Sequence, residues 1–339
     1  GRIWEDVLAV LREKAKAGVE VRFLYDGMNE IKNLPFGYEK ELQSYGIDAK
    51  IFSPVIPALA SYQNNRDHRK ICVIDGHTAF TGGINLADEY ANLKQRFGRW
   101  KDVGAMFKGE AVNSFTMMFL EMWNGNYRDG KPEKNRLSYR QYVFRNCRDC
   151  RDDKNPRQGY VIPYGDSPLD KENVGENVYL DILYTARDYV HIMTPYLILD
   201  DSMISALCFA AKRGVEVKIL FPHIPDKPYA FWLGHSYYKE LLENGVKIYE
   251  YMPGFVHGKA FVADGKRGVI GTINLDFRSL YLHFENAVYL HEVPAIKDME
   301  ADFEACLLES TEIDQEALRK FPWYKLFLGN LLKIFAPMF

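Results

Sequence analysis

Apolar positions fall first at helical spacing, in Arg2–Gly18, "RIWEDVLAVLREKAKAG", and then in the strand-like run "VEVRFLYD", rich in β-branched and aromatic residues, that follows the glycine. The same change of period recurs nearly two hundred residues later, where "AAKRGVEVKILFP" (Ala210–Pro222) matches "KAKAGVEVRFLYD" (Lys14–Asp26). Each reads as the end of a helix, a turn glycine (Gly18, Gly214) and a strand. A second pair repeats the order: "YEKELQSYGIDAKIFSP" (Tyr38–Pro54) and "YYKELLENGVKIYEYMP" (Tyr237–Pro253) are helix, glycine stop (Gly46, Gly245) and strand. Strands alternating with amphipathic helices predict an α/β fold, with mixed sheets flanked by helices.

Polar residues repeat along with the apolar ones. "HRKICVIDGHTAFTGGINL" from His68 aligns with "HGKAFVADGKRGVIGTINL" from His257. Lys70 and Lys259 stand two residues after their histidines, Asp75 and Asp264 seven after, Asn85 and Asn274 seventeen after. "WKDVGAMFKGEAV" from Trp100 then aligns with "FENAVYLHEVPAI" from Phe284, which sets Asp102 against Glu285 after a six-residue insertion in the first copy. The chain therefore reads as two homologous halves. They join in the polar stretch "RNCRDCRDDKNPRQG" (Arg145–Gly159), giving domains of 1–150 and 151–339. The second half opens with the strand "YVHIMTPYLI" (Tyr189–Ile198) ahead of its first helix. The first half has no counterpart, because Arg2 already lies in a helix, so an N-terminal strand and the start of the chain are expected to be missing.

Composition narrows the class. The chain has 339 residues, 47% apolar and 14% aromatic, enough for a sizeable core and unlike a disordered segment. A net charge of −3 with no basic stripe disfavours DNA or RNA as partner. The odd cysteine count, with Cys72, Cys208 and Cys306 in apolar runs, fits reduced thiols. Cys147 and Cys150 have metal-ligand spacing, but no second Cys or His pair stands near them. No run of about twenty apolar residues is present to span a bilayer, and no signal peptide is visible.

A strand puts residues i and i+2 on one face, so His68 and Lys70 point together, as do His257 and Lys259. Asp75 and Asp264 have the opposite parity, which suits structural work at the strand end, before the turn glycines Gly76 and Gly265. Gly82-Gly83 and Gly271-Thr272 allow the backbone close to a ligand, and Asn85 and Asn274 follow as neutral donors. If the halves pack about a pseudo-twofold axis, one pocket between them receives two histidines, two lysines and two asparagines. Paired cations with amide donors suit an anionic phosphoryl transition state. Paired histidines offer a nucleophile and a proton donor. Each histidine needs an acid on its other ring nitrogen, and Asp102 and Glu285 are the candidates. No cofactor or metal is expected. A two-histidine metal site is the rival reading, and the neighbouring lysines would repel its cation.

His-x-Lys-x4-Asp followed by Gly-Gly/Thr-x-Asn, present twice, resembles the signature of the phospholipase D superfamily. Within it the chain is most similar to bacterial cardiolipin synthase, in "DHRKICVIDGHTAFTGGIN", "VIPYGDSPLD" (Val161–Asp170), "TPYLILDDSMISAL" (Thr194–Leu207) and "INLDFRSLYLHFE" (Ile273–Glu285). The resemblance implies two phospholipase D-like halves and a catalytic set of His68, Lys70, Asp75, His257, Lys259 and Asp264. It implies a two-step transfer through a phosphohistidine: His68 attacks, while His257 protonates the leaving alcohol and then deprotonates the acceptor. Glu285 would serve His68 and Asp102 would serve His257. The implied substrate is phosphatidylglycerol, converted to cardiolipin and glycerol at the cell membrane of a bacterium. Members of the family carry N-terminal membrane helices, which do not appear within these 339 residues.

Three functions compete: a phosphatidyltransferase, a hydrolase of the same superfamily acting on phospholipid or nucleic acid, and a non-catalytic lipid-binding scaffold. Two complete motifs count against the scaffold, and the near-neutral charge against a nuclease. The apolar tail "FPWYKLFLGNLLKIFAPMF" (Phe321–Phe339) reads either as an interfacial helix or as an ordinary helix packed on the core. The aromatic stretch "PDKPYAFWLGHSYYKELL" (Pro225–Leu242) fits core packing better than an acyl-chain groove, and His223 and His235 read as incidental.

Overall fold

The computed structural model describes residues 1–55, 64–125, 137–143 and 158–336. Cys147 and Cys150 lie outside these residues, so their metal-ligand spacing has no structural counterpart to set beside it. The first half runs α1 (Arg2–Lys16), β1 (Arg22–Asp26), α2 (Met28–Lys32), α3 (Tyr38–Ser44), β2 (Asp48–Phe52), β3 (Cys72–Ile74), β4 (Thr78–Gly82), β5 (Arg99–Lys101), β6 (Gly104–Lys108), α4 (Val112–Gly125) and α5 (Tyr139–Tyr142). The second runs β7 (Tyr160–Asp166), α6 (Val174–Thr185), β8 (Tyr189–Met193), α7 (Asp201–Lys212), β9 (Glu216–Pro222), α8 (Pro228–Glu243), β10 (Lys247–Tyr251), β11 (Gly254–Val256), β12 (Ala260–Ala263), β13 (Arg267–Gly271), β14 (Glu285–His291), α9 (Ala295–Leu307), β15 (Ser310–Ile313), α10 (Gln315–Arg319) and α11 (Trp323–Lys333).

The repeated helix–glycine–strand unit has one cause in all four copies. Gly18, Gly46, Gly214 and Gly245 hold φ between 81° and 92°, the left-handed region that side chains avoid. The residue after each glycine donates its N–H back into the last helical turn: Val19 to Lys14 O, Ile47 to Leu42 O, Val215 to Ala210 O and Val246 to Leu241 O. This closes the helix and sends the chain into β1, β2, β9 and β10.

In the second half, eight strands form one mixed sheet in the order β15-β10-β9-β8-β12-β13-β14-β7. β8, β9 and β10 are mutually parallel and the remaining pairs antiparallel. In the first half, β1 pairs with β2 in parallel, and β3-β4-β6 form a separate antiparallel sheet. By the repeat, β1 corresponds to β9 and β3 to β12. The place between them that β8 fills in the second half is taken by no strand among the described residues. Two sequence expectations need correction. β7 and α6 precede β8, which is therefore not the opening element of its half, and β8 ends at Met193 because Thr194 turns to bond Tyr196 O.

Alternation along β12, β13 and β14 divides the core. Phe261, Ala263, Val269 and Ala287 face a cluster built with α6, α7 and α8. Their neighbours Val262, Ile270, Val288 and Leu290 face the other way, onto Ala79 of β4, Phe107 of β6 and Phe115 and Met118 of α4. That second cluster is the apolar seam between the halves. Each large side chain buried there contributes roughly 1.5–3 kcal/mol, and together they fix the orientation that brings the two polar motifs face to face.

Candidate active site

Both motif histidines sit just ahead of their strands rather than on them, since β3 begins at Cys72 and β12 at Ala260. The physical reason is that their backbone pairs with the other half. His68 N–H donates to Phe284 O at 2.9 Å, beside a bridge between Asp67 and Phe284. His257 N–H donates to Lys101 O at 2.6 Å, where Val256 of β11 pairs with Lys101 of β5. Asp67 and Phe284 hold the same places in the repeat as Val256 and Lys101. One contact is thus made twice, as a pseudo-twofold axis requires. Within each half a further contact is repeated, Gly83 N–H to Val103 O (3.0 Å) and Thr272 N–H to Asn286 O (2.9 Å).

The acids cross between the halves. His68 Nδ1 lies 2.8 and 3.0 Å from the two oxygens of Glu285, and His257 Nδ1 lies 2.7 Å from Asp102 Oδ2. A carboxylate on Nδ1 fixes each ring's tautomer and leaves Nε2 for a reacting group. Glu285 is fully buried and also accepts the Thr272 hydroxyl proton. Asp102 also accepts the Trp100 indole N–H at 3.3 Å and the Val103 N–H at 2.9 Å. Burial alone would raise both acids. Their histidines outweigh it and hold both below the usual carboxylate range, with Lys259 adding to the effect on Asp102 and His283 on Glu285. The rings themselves differ in access: the His68 side chain is 25% exposed and the His257 side chain 7%.

The lysines reach the same cleft. Lys70 feels the charges of both Glu285 and Asp102, and Lys259 those of Asp102, Lys70 and Glu285. Lys70 Nζ donates to His68 O at 2.6 Å, and Lys259 Nζ lies 2.8 and 3.0 Å from the ring nitrogens of His257. Burial pushes Lys70 down to about 8 and Lys259 down to about 7. Burial and then Lys259 push the His257 imidazole down to about 3, and burial also lowers His68. A sign follows for catalysis. Both lysines carry charge at low pH and lose it as pH rises through these values, so kcat/KM for an anionic phosphodiester should fall between about pH 7 and 8. A profile flat to pH 10 would show that the lysine charges play no part.

The remaining sequence candidates divide. Gly83 is at the site because a Cβ there would meet Asp102 Oδ1 at 2.1 Å; only glycine lets that carboxylate lie under His257. Asn85 donates to Tyr90 OH at 2.6 Å, and the Tyr90 ring stands edge-on to His257 at 5.1 Å. Asn274 is buried and donates to Asp276 at 3.1 Å. Asp264 is not in the cleft. It sits beyond β12 at φ 54°, and its carboxylate accepts N–H groups of Arg187, Asp188 and Tyr189 and pairs with Arg267. Asp75 holds the equivalent turn position at φ 55°. Motif membership had grouped both with the catalytic set; their place at the far end of the strand makes them turn residues, as strand parity implies.

Trp100 and His283 escaped sequence reasoning. They occupy the same place in the repeat, two residues before Asp102 and Glu285, and each presses on its half-site histidine: Trp100 on His257 at 5.1 Å between ring centres, His283 on His68 at 5.6 Å. The i, i+2 spacing was the available signal. His68, His283 and Glu285 present ligand atoms within 4.8 Å of one another, a set that could hold a cation, though Lys70 acts on the same histidine. His223 and His235 share the buried Glu250 at 2.8 and 2.9 Å, away from the cleft. Within the aromatic stretch Tyr237 and Tyr238 are buried and Phe231 packs against the core, while Tyr229 is exposed.

Comparison with known proteins agrees with this geometry. The profile of a family described as cardiolipin synthase, PLD-like domain, matches residues 4–123 and 179–307. The chain is 51% identical over 338 residues to an uncharacterized protein of Streptococcus mutans, covering 100% of this chain and 71% of that one. It is 37% identical to a cardiolipin synthase of Geobacillus sp. over 99% of this chain and 65% of the relative, and 35% identical to cardiolipin synthase 2 of Bacillus cereus over 99% and 63%. The chain thus spans slightly less than two thirds of those synthases. Among solved structures, phosphatidylserine synthase of Haemophilus influenzae superposes with a TM-score of 0.69 at 18% identity, covering 98% of this chain and 84% of that one. Polyphosphate kinase of Porphyromonas gingivalis does so at 0.56 and 15%, over 92% and 42%. At these identities both report the fold.

Proposed function

This chain belongs to the phospholipase D superfamily, in the cardiolipin synthase PLD-like domain family, and from that premise we propose that it is a phosphatidyltransferase that makes cardiolipin and glycerol from two phosphatidylglycerols. The carrying observation is the crossed pair of histidine–carboxylate contacts, one from each half, with two lysines between them.

In the first step His68 Nε2 attacks the phosphorus of one phosphatidylglycerol. A P–N bond forms, the P–O bond to the terminal glycerol breaks, and His257 gives that oxygen a proton. In the second step His257 takes a proton from the hydroxyl of a second phosphatidylglycerol. Its oxygen attacks the phosphorus, the P–N bond breaks and His68 is regenerated. Lys70 and Lys259 balance the charge spread over the phosphoryl oxygens. Glu285 and Asp102 stabilise each imidazolium as it forms. Support for this direction comes from the family resemblance and from the greater exposure of His68.

One observation favours the reverse assignment. Burial and then Lys259 push His257 down to about 3, while burial lowers His68 against the raising charge of Glu285, and a neutral imidazole is the nucleophilic form. An arriving phosphodiester would offset the lysine charge and bring His257 back toward its protonated form, which the first assignment requires. Both assignments share the covalent route.

Incubation with phosphatidylglycerol vesicles and mass spectrometry of the lipids tests the reaction. Cardiolipin with an equal amount of glycerol is expected. Phosphatidic acid with glycerol would make the chain a hydrolase, because water and alcohol compete for the same intermediate. No product, with vesicles bound, would make it a scaffold.

A further inference from the structure

α11 is a sequence feature that this chemistry leaves unused. It packs on α8 through Gly329, where a Cβ would meet Trp232 O at 2.2 Å and Ser236 Cβ at 3.2 Å. That close backbone approach sets the rotation of the helix. It turns Leu332 and the following Ala336 toward the core, and lays Lys333 Nζ 4.1 Å over the Tyr237 ring. The opposite face is left bare: Trp323 is 77% exposed, Phe327 61% and Ile334 71%, with Tyr324, Leu331 and Phe335 beside them. Positions 323, 327, 331 and 334 follow helical spacing, so these side chains make one stripe rather than scattered exposures.

Charge says what the stripe faces. From Ala317 to Ala336 the sequence has Arg319, Lys320, Lys325 and Lys333 and no Asp or Glu, in a chain whose net charge is −3. Lys320 also pairs with Glu316 at 2.9 Å just ahead of the helix, and Lys333 is held on Tyr237, so the segment from Asp314 to Ala336 carries four cations against two acids. An apolar stripe with Trp and Tyr at its start and a local cationic excess matches an anionic lipid surface: aromatic bodies and aliphatic side chains enter the acyl boundary while cationic groups stay among the phosphates. Eleven residues make a helix of roughly 16 Å against a hydrocarbon core of about 30 Å, so α11 lies in the surface instead of crossing it. No helix among the described residues is long and apolar enough to cross. We propose that α11 docks this chain onto anionic bilayers, with Trp323, Phe327, Leu331 and Ile334 inserted and the exposed Arg319 and Lys320 at headgroup level. The inference rests on the phospholipid-substrate reading only for its purpose; binding itself needs no turnover.

The test is cosedimentation of the full 339-residue chain, carrying His68→Ala so that no lipid is consumed, with vesicles of phosphatidylcholine alone or mixed equally with phosphatidylglycerol. Binding should favour the anionic vesicles by at least about tenfold. Trp323→Ser with Phe327→Ser should lower it by about tenfold or more, and Arg319→Gln with Lys320→Gln should remove most of the anionic preference. In the background with His68 intact, both double variants should keep the parent melting curve and the parent rate on a soluble short-chain phosphodiester. Equal binding by parent and apolar variant would overturn the proposal, as would a parent that binds no vesicle. So would light scattering that shows a parent dimer which the apolar substitutions dissolve, because the stripe would then be covered by a second copy. Loss of vesicle binding with catalysis of the soluble substrate intact separates this proposal from the reaction assigned above.

Discussion

His68→Ala should lower phosphatidylglycerol turnover by roughly 10⁴–10⁶-fold, the loss expected when a nucleophile is removed from a concerted set. His257→Ala should cost less, roughly 10²–10⁴, the usual reach of general acid–base catalysis. Leaving-group chemistry separates the two. Glycerol departs as a strongly basic alkoxide and needs the His257 proton. Nitrophenolate needs none, so a nitrophenyl phosphodiester should restore most of the first-step rate to His257→Ala and none to His68→Ala. The opposite rescue would assign attack to His257, in line with the depression of that ring by burial and Lys259. Equal rescue of both variants would mean that neither histidine is a dedicated acid.

The crossed acids carry the second large effect. Glu285→Gln keeps volume while replacing the carboxylate that holds His68 Nδ1 at 2.8 Å. An amide can offer an N–H where the ring must donate, so the tautomer is lost along with the charge that stabilises the imidazolium. A loss of roughly 10²–10⁴ is expected, as for the orienting carboxylate of a Ser-His-Asp triad. Asp102→Asn should be of the same order. The diagnostic is again the leaving group: Asp102→Asn should be rescued by nitrophenolate, as His257→Ala is, and Glu285→Gln should not. Rescue of Glu285→Gln alone would mean that each acid serves the histidine of its own half in function, despite the distances.

Much of this was legible because it is local. The helix–glycine–strand units follow from a left-handed glycine that the sequence marks, at Gly18, Gly46, Gly214 and Gly245. The histidines, lysines and asparagines show in the duplicated spacing. What the sequence hid depends on contacts between segments far apart. Each acid crosses to the other half over 217 and 155 residues, a pairing that the family resemblance suggested and spacing alone could not. Placement of His68 and His257 ahead of their strands follows from backbone bonds to Phe284 and Lys101, which no local propensity encodes. Trp100 and His283 were hidden for another reason: they differ in type, so a search for identical repeated residues passes over two side chains that fill one role. The sequence marked a strand missing from the first half but not its consequence, because pairing is a property of neighbours: β1 and β3 stand in separate sheets.

Single turnover with labelled phosphatidylglycerol, quenched by denaturant at neutral pH, tests the covalent crossed site most directly, since acid would break the P–N bond of a phosphohistidine and alkali the acyl esters of the phosphatidyl group. Mass mapping of the digested chain should find one phosphatidyl adduct, on the peptide containing His68. It should be absent from His68→Ala and decay when acceptor lipid is added. An adduct on His257 would reverse the two roles together with their acids. A chain that turns over substrate while carrying an adduct on neither histidine would contradict the two-step route altogether.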